Sequence, residues 1–369
     1  MINNKEEILN NGLLEIENIN WNDKDEVLEI IKDDILCFKY VSENLKNDKE
    51  FMLEAVKENE NVLKFASKEL RNNKEFMLEA IENNGNVLKF TSNEMKDDKN
   101  IVLEAIKSRA FSFKYASDRL QNDKEFVSEV IKENSRAFKY ASDELKNDKD
   151  ICLKVVKNDG WNLQFVSEKL KDDKDIVLTA IKENGFAIQF ASDELKNNKA
   201  FMTKACEINQ NSTQFISKKL KNDIEFVKDI INISGSTLKY VSPQFQDNKE
   251  IVTNAVKNCG WALEFASDRL KNDKDVIIEA VKNDAYALVY VNEKFKADKE
   301  IALEACKNDK SIFISLGEIR KEFKSVEDFL NSEKKVTKDN QWEKSASSEK
   351  ANNPWESKIS NDKSSDLER

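Results

Sequence analysis

The segment DKEFMLEAVKENENVLKFASKELRN (Asp48–Asn72) is followed at once by NKEFMLEAIENNGNVLKFTSNEMKD (Asn73–Asp97), and the same 25-residue pattern runs without insertion or deletion from Trp21 to about Leu316. Its opening position reads Asp23, Asp48, Asn73, Asp98, Asp123, Asp148, Asp173, Asn198, Asp223, Asn248, Asp273 and Asp298, which makes twelve units in one phase. Self-similarity at a period of about 20 to 50 residues marks stacked repeats, in which each unit buries its apolar face against its neighbours. The expected fold is all-α: an α-solenoid of about twelve 25-residue helix-turn-helix repeats.

Within the unit that starts at Asp48, the apolar set Phe51, Met52, Ala55 and Val56 follows an i, i+1, i+4, i+5 spacing, the stripe of a one-sided helix A. Ala80, Ala105, Ala180, Ala205, Ala255, Ala280 and Ala305 repeat the small residue, which lets helices approach closely. The opening Asp or Asn is read as the N-cap of helix A, because its side-chain oxygen can accept from first-turn N–H groups. Gly85, Gly160, Gly185, Gly235 and Gly260 share one phase, twelve residues after that cap, and are expected to end helix A in the left-handed region.

Helix B then carries Leu63, Phe65 and Ala66. Its aromatic recurs as Tyr40, Phe65, Phe90, Tyr115, Tyr140, Phe165, Phe190, Phe215, Tyr240, Phe265 and Tyr290, and that ladder is expected to be core, with tyrosine where a ring edge reaches water. Two positions later stands a serine ladder, Ser42 to Ser267, followed by Asn292 and Gly317; these are favourable N-caps, and Pro243 fits the first position of a short third turn. A nucleophilic reading of the ladder lacks its base, since the chain contains no histidine.

The phrases Val62-Leu63-Lys64-Phe65-Ala66-Ser67 with Glu69-Leu70, and Asp173-Lys174-Asp175-Ile176-Val177-Leu178 with Ala180, resemble the repeat family named domain of unknown function 4116. The resemblance covers Trp21 to about Leu316. It implies the repeat fold and brings no activity, ligand or catalytic residue. The last unit departs from the pattern, with Ser315 in place of the aromatic and Arg320 in place of the leucine, as a terminal cap would.

Residues 1–22 are accordingly read as an N-terminal capping unit holding Leu13, Leu14, Ile16 and Ile19, and 23–316 as the repeats. Residues 317–330 form a C-terminal capping helix with Phe323, Val326, Phe329 and Leu330, and 331–369 a disordered tail rich in Ser, Lys, Glu, Asp and Asn. The tail holds two similar phrases centred on Trp342 and Trp355, which could anchor a multivalent partner or reflect drift in an unstructured segment.

Lys+Arg 60 against Asp+Glu 70 leaves a net charge of −10, which opposes general attraction to phosphate backbones or anionic lipid without excluding a local basic strip. The strip in question is Lys39, Lys64, Lys89, Lys114 and Lys139, facing outward on five consecutive helices B; Gln164, Gln189 and Gln214 continue its phase. Solvated charge is the competing reading, since Glu54, Glu79, Glu104 and Glu129 form a ladder nearby. Beside the lysines the phase of Asn61 holds Phe111, Trp161, Phe186, Trp261 and Tyr286, either as packing between units or as exposed contacts. The five cysteines (Cys37, Cys152, Cys206, Cys259 and Cys306) form no CxxC pair and read as small buried thiols in a reducing compartment. No apolar leader or membrane-length stretch stands out, so a cytoplasmic location is expected, with export by a route lacking a cleavable signal left open. The expected function is a non-catalytic protein-protein interaction scaffold with an unidentified protein partner. The alternative is a nucleic acid or polyanion bound through the lysine strip. No cofactor or metal is called for by any motif.

Overall fold

The opening carboxylate of most units works twice. Asp48 accepts a hydrogen bond from the Phe51 backbone N–H at 2.9 Å through one oxygen, capping its own helix, and pairs through the other with Lys24 of the preceding unit at 3.0 Å. Lys99 and Asp123 repeat the bridge at 2.8 Å, Lys124 and Asp148 at 2.6 Å, and Lys149 and Asp173 at 2.8 Å. A computed structural model of the chain describes residues 19–332 except Asp34; the expected apolar residues Leu13, Leu14 and Ile16, the segment from 333, and with it Trp342 and Trp355, lie outside the described residues.

The module is an all-α solenoid repeat. A ten-residue helix A such as Lys49–Glu58 leads into a 3₁₀ helix, Glu60–Lys64, and then a four-residue helix, Lys68–Arg71. Twelve ten-residue helices recur among the described residues, from Lys24–Asp33 to Lys299–Asn308. Packing divides the chain into two compact units, 1–215 and 216–369. Within each, successive helices A stack side by side and successive 3₁₀ helices touch. The first unit ends in a polar 3₁₀ helix, Gln210–Phe215, where buried Thr213 stands in the place of Leu63. In the second, Phe329 is buried beneath Phe313 and Phe323, with ring centroids 6.2 and 5.0 Å away. The expected single closing helix over 317–330 is broken at Phe323 into Gly317–Glu322 and a second helical stretch, 326–332; Gly317 opens the former, and its N-cap is Leu316.

The inward set of helix A is as read from the spacing: Phe51, Met52, Ala55 and Val56 are all buried. Helix B differs. It is a 3₁₀ helix, whose three residues per turn place Val62, Leu63 and Ala66 inside and Asn61 and Lys64 outside, one above the other. Position 62, unremarked in the sequence, is half-buried at Cys37 in the first repeat and buried in the later ones, where the first unit of the chain holds Val62, Val87, Ser112, Ala137, Asn162, Ala187 and Ser212. The aromatic ladder moves the other way. Phe65, Phe90, Tyr115, Tyr140 and Phe165 are half-buried at the edge of the stack rather than core.

The serines cap the short helix and also clasp the preceding repeat. Ser67 Oγ accepts from the Leu70 N–H at 3.1 Å and donates to Asn47 Oδ1 at 2.7 Å, while its N–H donates to the Lys46 carbonyl. Ser167 does the same with Leu170, Asn147 and Lys146. Ser242 is the N-cap before Pro243.

The recurrent glycines are not left-handed. None of Gly85, Gly160, Gly185, Gly235 and Gly260 has a positive φ in that region. The residue after helix A is extended, as at Asn84 (φ −153°, ψ 104°), and the glycine follows it as the first residue of the 3₁₀ helix. What it supplies is room: a Cβ on Gly85 would fall inside contact with the Ala105 carbonyl of the next helix A, and one on Gly235 with that of Ala255.

Two measurements test this account. Gly235→Ala is expected to cost about 1–3 kcal/mol in urea unfolding, and Gly235→Asn more, because the larger side chain meets the same carbonyl. A left-handed glycine would give the opposite order, since Asn tolerates that region better than Ala. The second concerns pH. The Phe51 N–H, followed by the Lys24 ammonium, holds the Asp48 carboxyl below its ordinary range; Lys74 does so first for Asp98, and Lys99 for Asp123. Carboxyls depressed in the fold add stability above the unfolded pKa of about 4, and that stability is lost as pH falls through the folded values. The melting temperature is expected to be flat from about pH 7 to 5 and to fall below about pH 4. Changing Asp98, Asp123 and Asp148 to Asn, the residue already present at positions 73, 198 and 248, should lower the neutral-pH melting temperature and flatten the acid limb. Calorimetry showing equally steep acid limbs would contradict this.

Candidate ligand-binding face

Because positions three apart eclipse each other on a 3₁₀ helix, a lysine at position 64 can stand over the residue that begins its outward face, and the rings beside it lie within reach. Lys114 Nζ lies 3.9 Å from the centre of the Phe111 ring and 4.8 Å from that of Tyr115. Lys39 lies 4.6 Å from the Tyr40 ring, Lys89 4.6 Å from Phe90, and Lys139 between Tyr140 and Phe165 at 5.6 and 5.9 Å. The two readings of the sequence, a lysine strip and an aromatic line, are thus one surface. A cation over a ring face is attracted by the ring quadrupole while its head stays hydrated.

The predicted residues are not equivalent. Lys39, Lys64, Lys114 and Lys139 are exposed. Lys89 is half-buried; it pairs with Glu60 at 3.3 Å and donates to Asn61 Oδ1 at 3.1 Å, so its charge is already engaged. Where the lysine gives way to glutamine, the amide turns back on its own 3₁₀ helix: Gln164 Nε2 donates to the Trp161 carbonyl and Gln189 Nε2 to that of Phe186, both at 3.0 Å.

The aromatic line is exposed, and it also packs between repeats. Phe111 is 42% and Trp161 41% exposed, yet Phe111 meets Tyr140 of the following repeat edge-on at 5.5 Å, and Trp161 meets Phe190 at 5.6 Å. In the second unit Trp261 packs on Tyr290 at 5.7 Å and donates its indole N–H to Asp284 at 2.5 Å, while Lys239 lies between Tyr240 and Phe265 at 5.7 and 5.6 Å. The third expected residue type, the tail tryptophan, lies outside the described residues.

Two residues of the face escaped the sequence reading. Arg136 occupies the Asn61 position between Phe111 and Trp161, so it interrupts the aromatic line with a cation. Asn162 occupies the buried position that other repeats fill with small or apolar residues such as Val62, Val87, Ser112 and Ala137; it is 2% exposed, and among the described residues its Nδ2 has no acceptor. Both were visible as departures from their own columns of the repeat. With Phe111, Lys139, Tyr140 and Trp161 they line a depression of about 430 Å³ across the 3₁₀ helices Ala110–Tyr115, Ser135–Tyr140 and Gly160–Phe165.

The family can now be stated. Nine matches to the domain of unknown function (DUF4116), several of them overlapping, cover residues 23–71, 73–121, 98–146, 123–171, 148–196, 173–217, 198–246, 248–296 and 275–324. The chain belongs to the DUF4116 family. Most of these matches span almost two 25-residue units, and several advance by one unit, so the DUF4116 pattern is itself a tandem of the module described above. No curated protein and no solved structure matches the chain. Among the described residues of this DUF4116 chain, no helix is long and apolar enough to cross a membrane.

The buried nucleophiles of the DUF4116 array are poorly placed for chemistry. Burial pushes the Cys152 and Cys206 thiols up to about 12 and Cys306 to about 11. Cys152, Cys206 and Cys306 are free thiols, and all three are buried. Iodoacetamide at pH 8 is therefore expected to label Cys152, Cys206 and Cys306 in the folded protein about a hundredfold more slowly than free cysteine, and at the free rate after unfolding, as read by peptide mass spectrometry. Rapid labelling of the native chain at any of the three would contradict their placement.

Proposed function

We propose that this chain is a non-catalytic interaction scaffold that takes a protein partner on the lysine-aromatic face of its 3₁₀ helices. The observation that carries the reading is the joint placement of Lys114, Phe111 and Tyr115, with Lys39 and Lys139 in the same relation to their own rings, on exposed positions of successive repeats. Exposed aromatic side chains and arginine are the residue types that supply much of the binding energy where proteins meet, and Arg136 stands among the rings of this face. The inward positions of the module hold to small and apolar residues while the outward ones change from Lys to Gln, Glu, Val and Ile, which is how a repeat array varies its recognition without altering its fold.

The absence of catalysis belongs to the same proposal. It is supported by a chain without histidine, by serine hydroxyls engaged in caps and clasps, and by thiols buried and held protonated. A reducing, cytoplasmic setting is part of the proposal too, supported by the free thiols of Cys152, Cys206, Cys259 and Cys306.

Affinity capture from native lysate, with and without nuclease, tests the reading against a variant in which Lys39, Lys64, Lys114 and Lys139 become Gln, the residue that stands at positions 164, 189 and 214. A nuclease-resistant protein partner retained about tenfold less well by the variant is the expected result. Nuclease-sensitive capture with a steep salt dependence would transfer the face to nucleic acid. Undiminished capture by the variant would remove the face altogether.

A further inference from the structure

The depression bounded by Phe111 and Trp161 carries more information than the strip around it. Its walls are aromatic: the Phe111 and Tyr140 rings lie 5.5 Å apart on one side, and Trp161 stands on the other. Of its three charged groups two are cations. Arg136 and Lys139 line it, and among the described residues neither has a carboxylate within ion-pair distance, while Lys114 lies just beyond, over Phe111. Asp159 is the single carboxylate of the lining, and one of its oxygens is taken by the Trp161 backbone N–H at 3.0 Å. Asn162, 2% exposed, also lines it, and among the described residues its Nδ2 lacks an acceptor. A buried donor without a partner costs free energy that an incoming acceptor recovers.

These features select a ligand. A cation would meet Arg136 and Lys139, and a purely apolar group would leave the Asn162 donor unpaired. A carboxylate attached to an apolar body satisfies both parts of the pocket, the anion on Arg136 and Asn162 and the apolar group between the rings. The anionic stretch has to be short. On one side the lysine position becomes Gln164 and Gln189, whose amides fold back on their own helices, and on the other Lys89 is neutralised by Glu60. A phosphate chain tracking the array would find no continuing row of free cations, and the protein as a whole carries −10.

We infer that this pocket docks a short acidic segment of a partner protein in which a large apolar side chain stands next to a carboxylate. The inference rests on the scaffold reading and specifies the ligand of its face.

Anisotropy titration of a fluorescein-labelled octapeptide, Gly-Ser-Glu-Trp-Glu-Asp-Ser-Gly, against the full chain tests it. Each protein variant installs the residue of a sister repeat and so preserves the module: Trp161→Asn as at Asn61 and Asn86, Arg136→Ser as at Ser236, and Asn162→Ala as at Ala137 and Ala187. The peptide is expected to bind wild type, with Kd rising about tenfold or more in Trp161→Asn and Arg136→Ser and about threefold in Asn162→Ala. Trp261→Asn should leave it unchanged. On wild-type protein, peptides with the tryptophan changed to alanine, or the acids to their amides, should each bind about tenfold more weakly, a result independent of any variant's folding. No saturable binding below about 1 mM, or equal binding by the Arg136→Ser, Trp161→Asn double variant, would overturn the site. Tighter binding of a fifteen-residue oligothymidylate than of the peptide would overturn it in favour of nucleic acid. Loss of the peptide response alongside intact lysine-dependent capture removes this pocket and leaves the scaffold; loss of both removes the face.

Discussion

Most repeats depend on a cap whose second function belongs to a neighbour. The carboxylate of Asp48 holds the Phe51 N–H with one oxygen and Lys24 of the preceding repeat with the other, and the Ser67 hydroxyl caps its own short helix while donating to Asn47 one repeat back. Orphan N–H groups at helix starts have to be satisfied somewhere, and here the residue that satisfies them is also the rivet between units. A single 25-residue unit therefore contains neither the lysine that pairs with its own cap nor the amide that receives its own serine. Two in tandem are the smallest segment in which the clasp is complete, and the matches to DUF4116 have that length.

The second constraint is the tightness of the middle element. A 3₁₀ helix has poorer hydrogen-bond geometry than an α-helix and is used in short pieces, but its three-residue turn stacks outward side chains directly above one another. That stacking puts Lys114 over Phe111 rather than beside it. It also leaves the aromatic of position 65 flanking the stack, where its edge takes the exposed ring of the preceding repeat, as Tyr140 takes Phe111. The binding face and the packing between repeats are therefore made by the same side chains, so substitutions there affect recognition and inter-repeat packing together unless they borrow from a sister repeat.

Much of this was legible in the sequence. The period, the cap at Asp48, the inward Phe51, Met52, Ala55 and Val56, the serine caps and the outward lysines all follow from spacing and residue type. The glycines were legible as punctuation but not in their reason: the sequence pattern of a terminating glycine is the same whether it relieves φ or makes room for the Ala105 or Ala255 carbonyl. Six residues of helix B were too few to separate a period of 3.0 from one of 3.6, and the error carried the aromatic ladder into the core. Arg136 and Asn162 went unread because the eye follows what a repeat keeps, and their signal is that they break it.

What the sequence by itself determined is the module, its number and its polarity, because local propensity, capping and apolar spacing act within 25 residues and recur unchanged. What only the tertiary structure decided is which surface those modules make together. Phe111, Arg136 and Trp161 are 25 residues apart in turn along the chain and line one pocket because consecutive 3₁₀ helices touch, while Asn162 joins them as a buried polar group because position 62 turns inward. Proximity across repeats is set by the clasp and the close glycine contacts, which are long-range in sequence, and a linear reading contains the members of such a site without their juxtaposition.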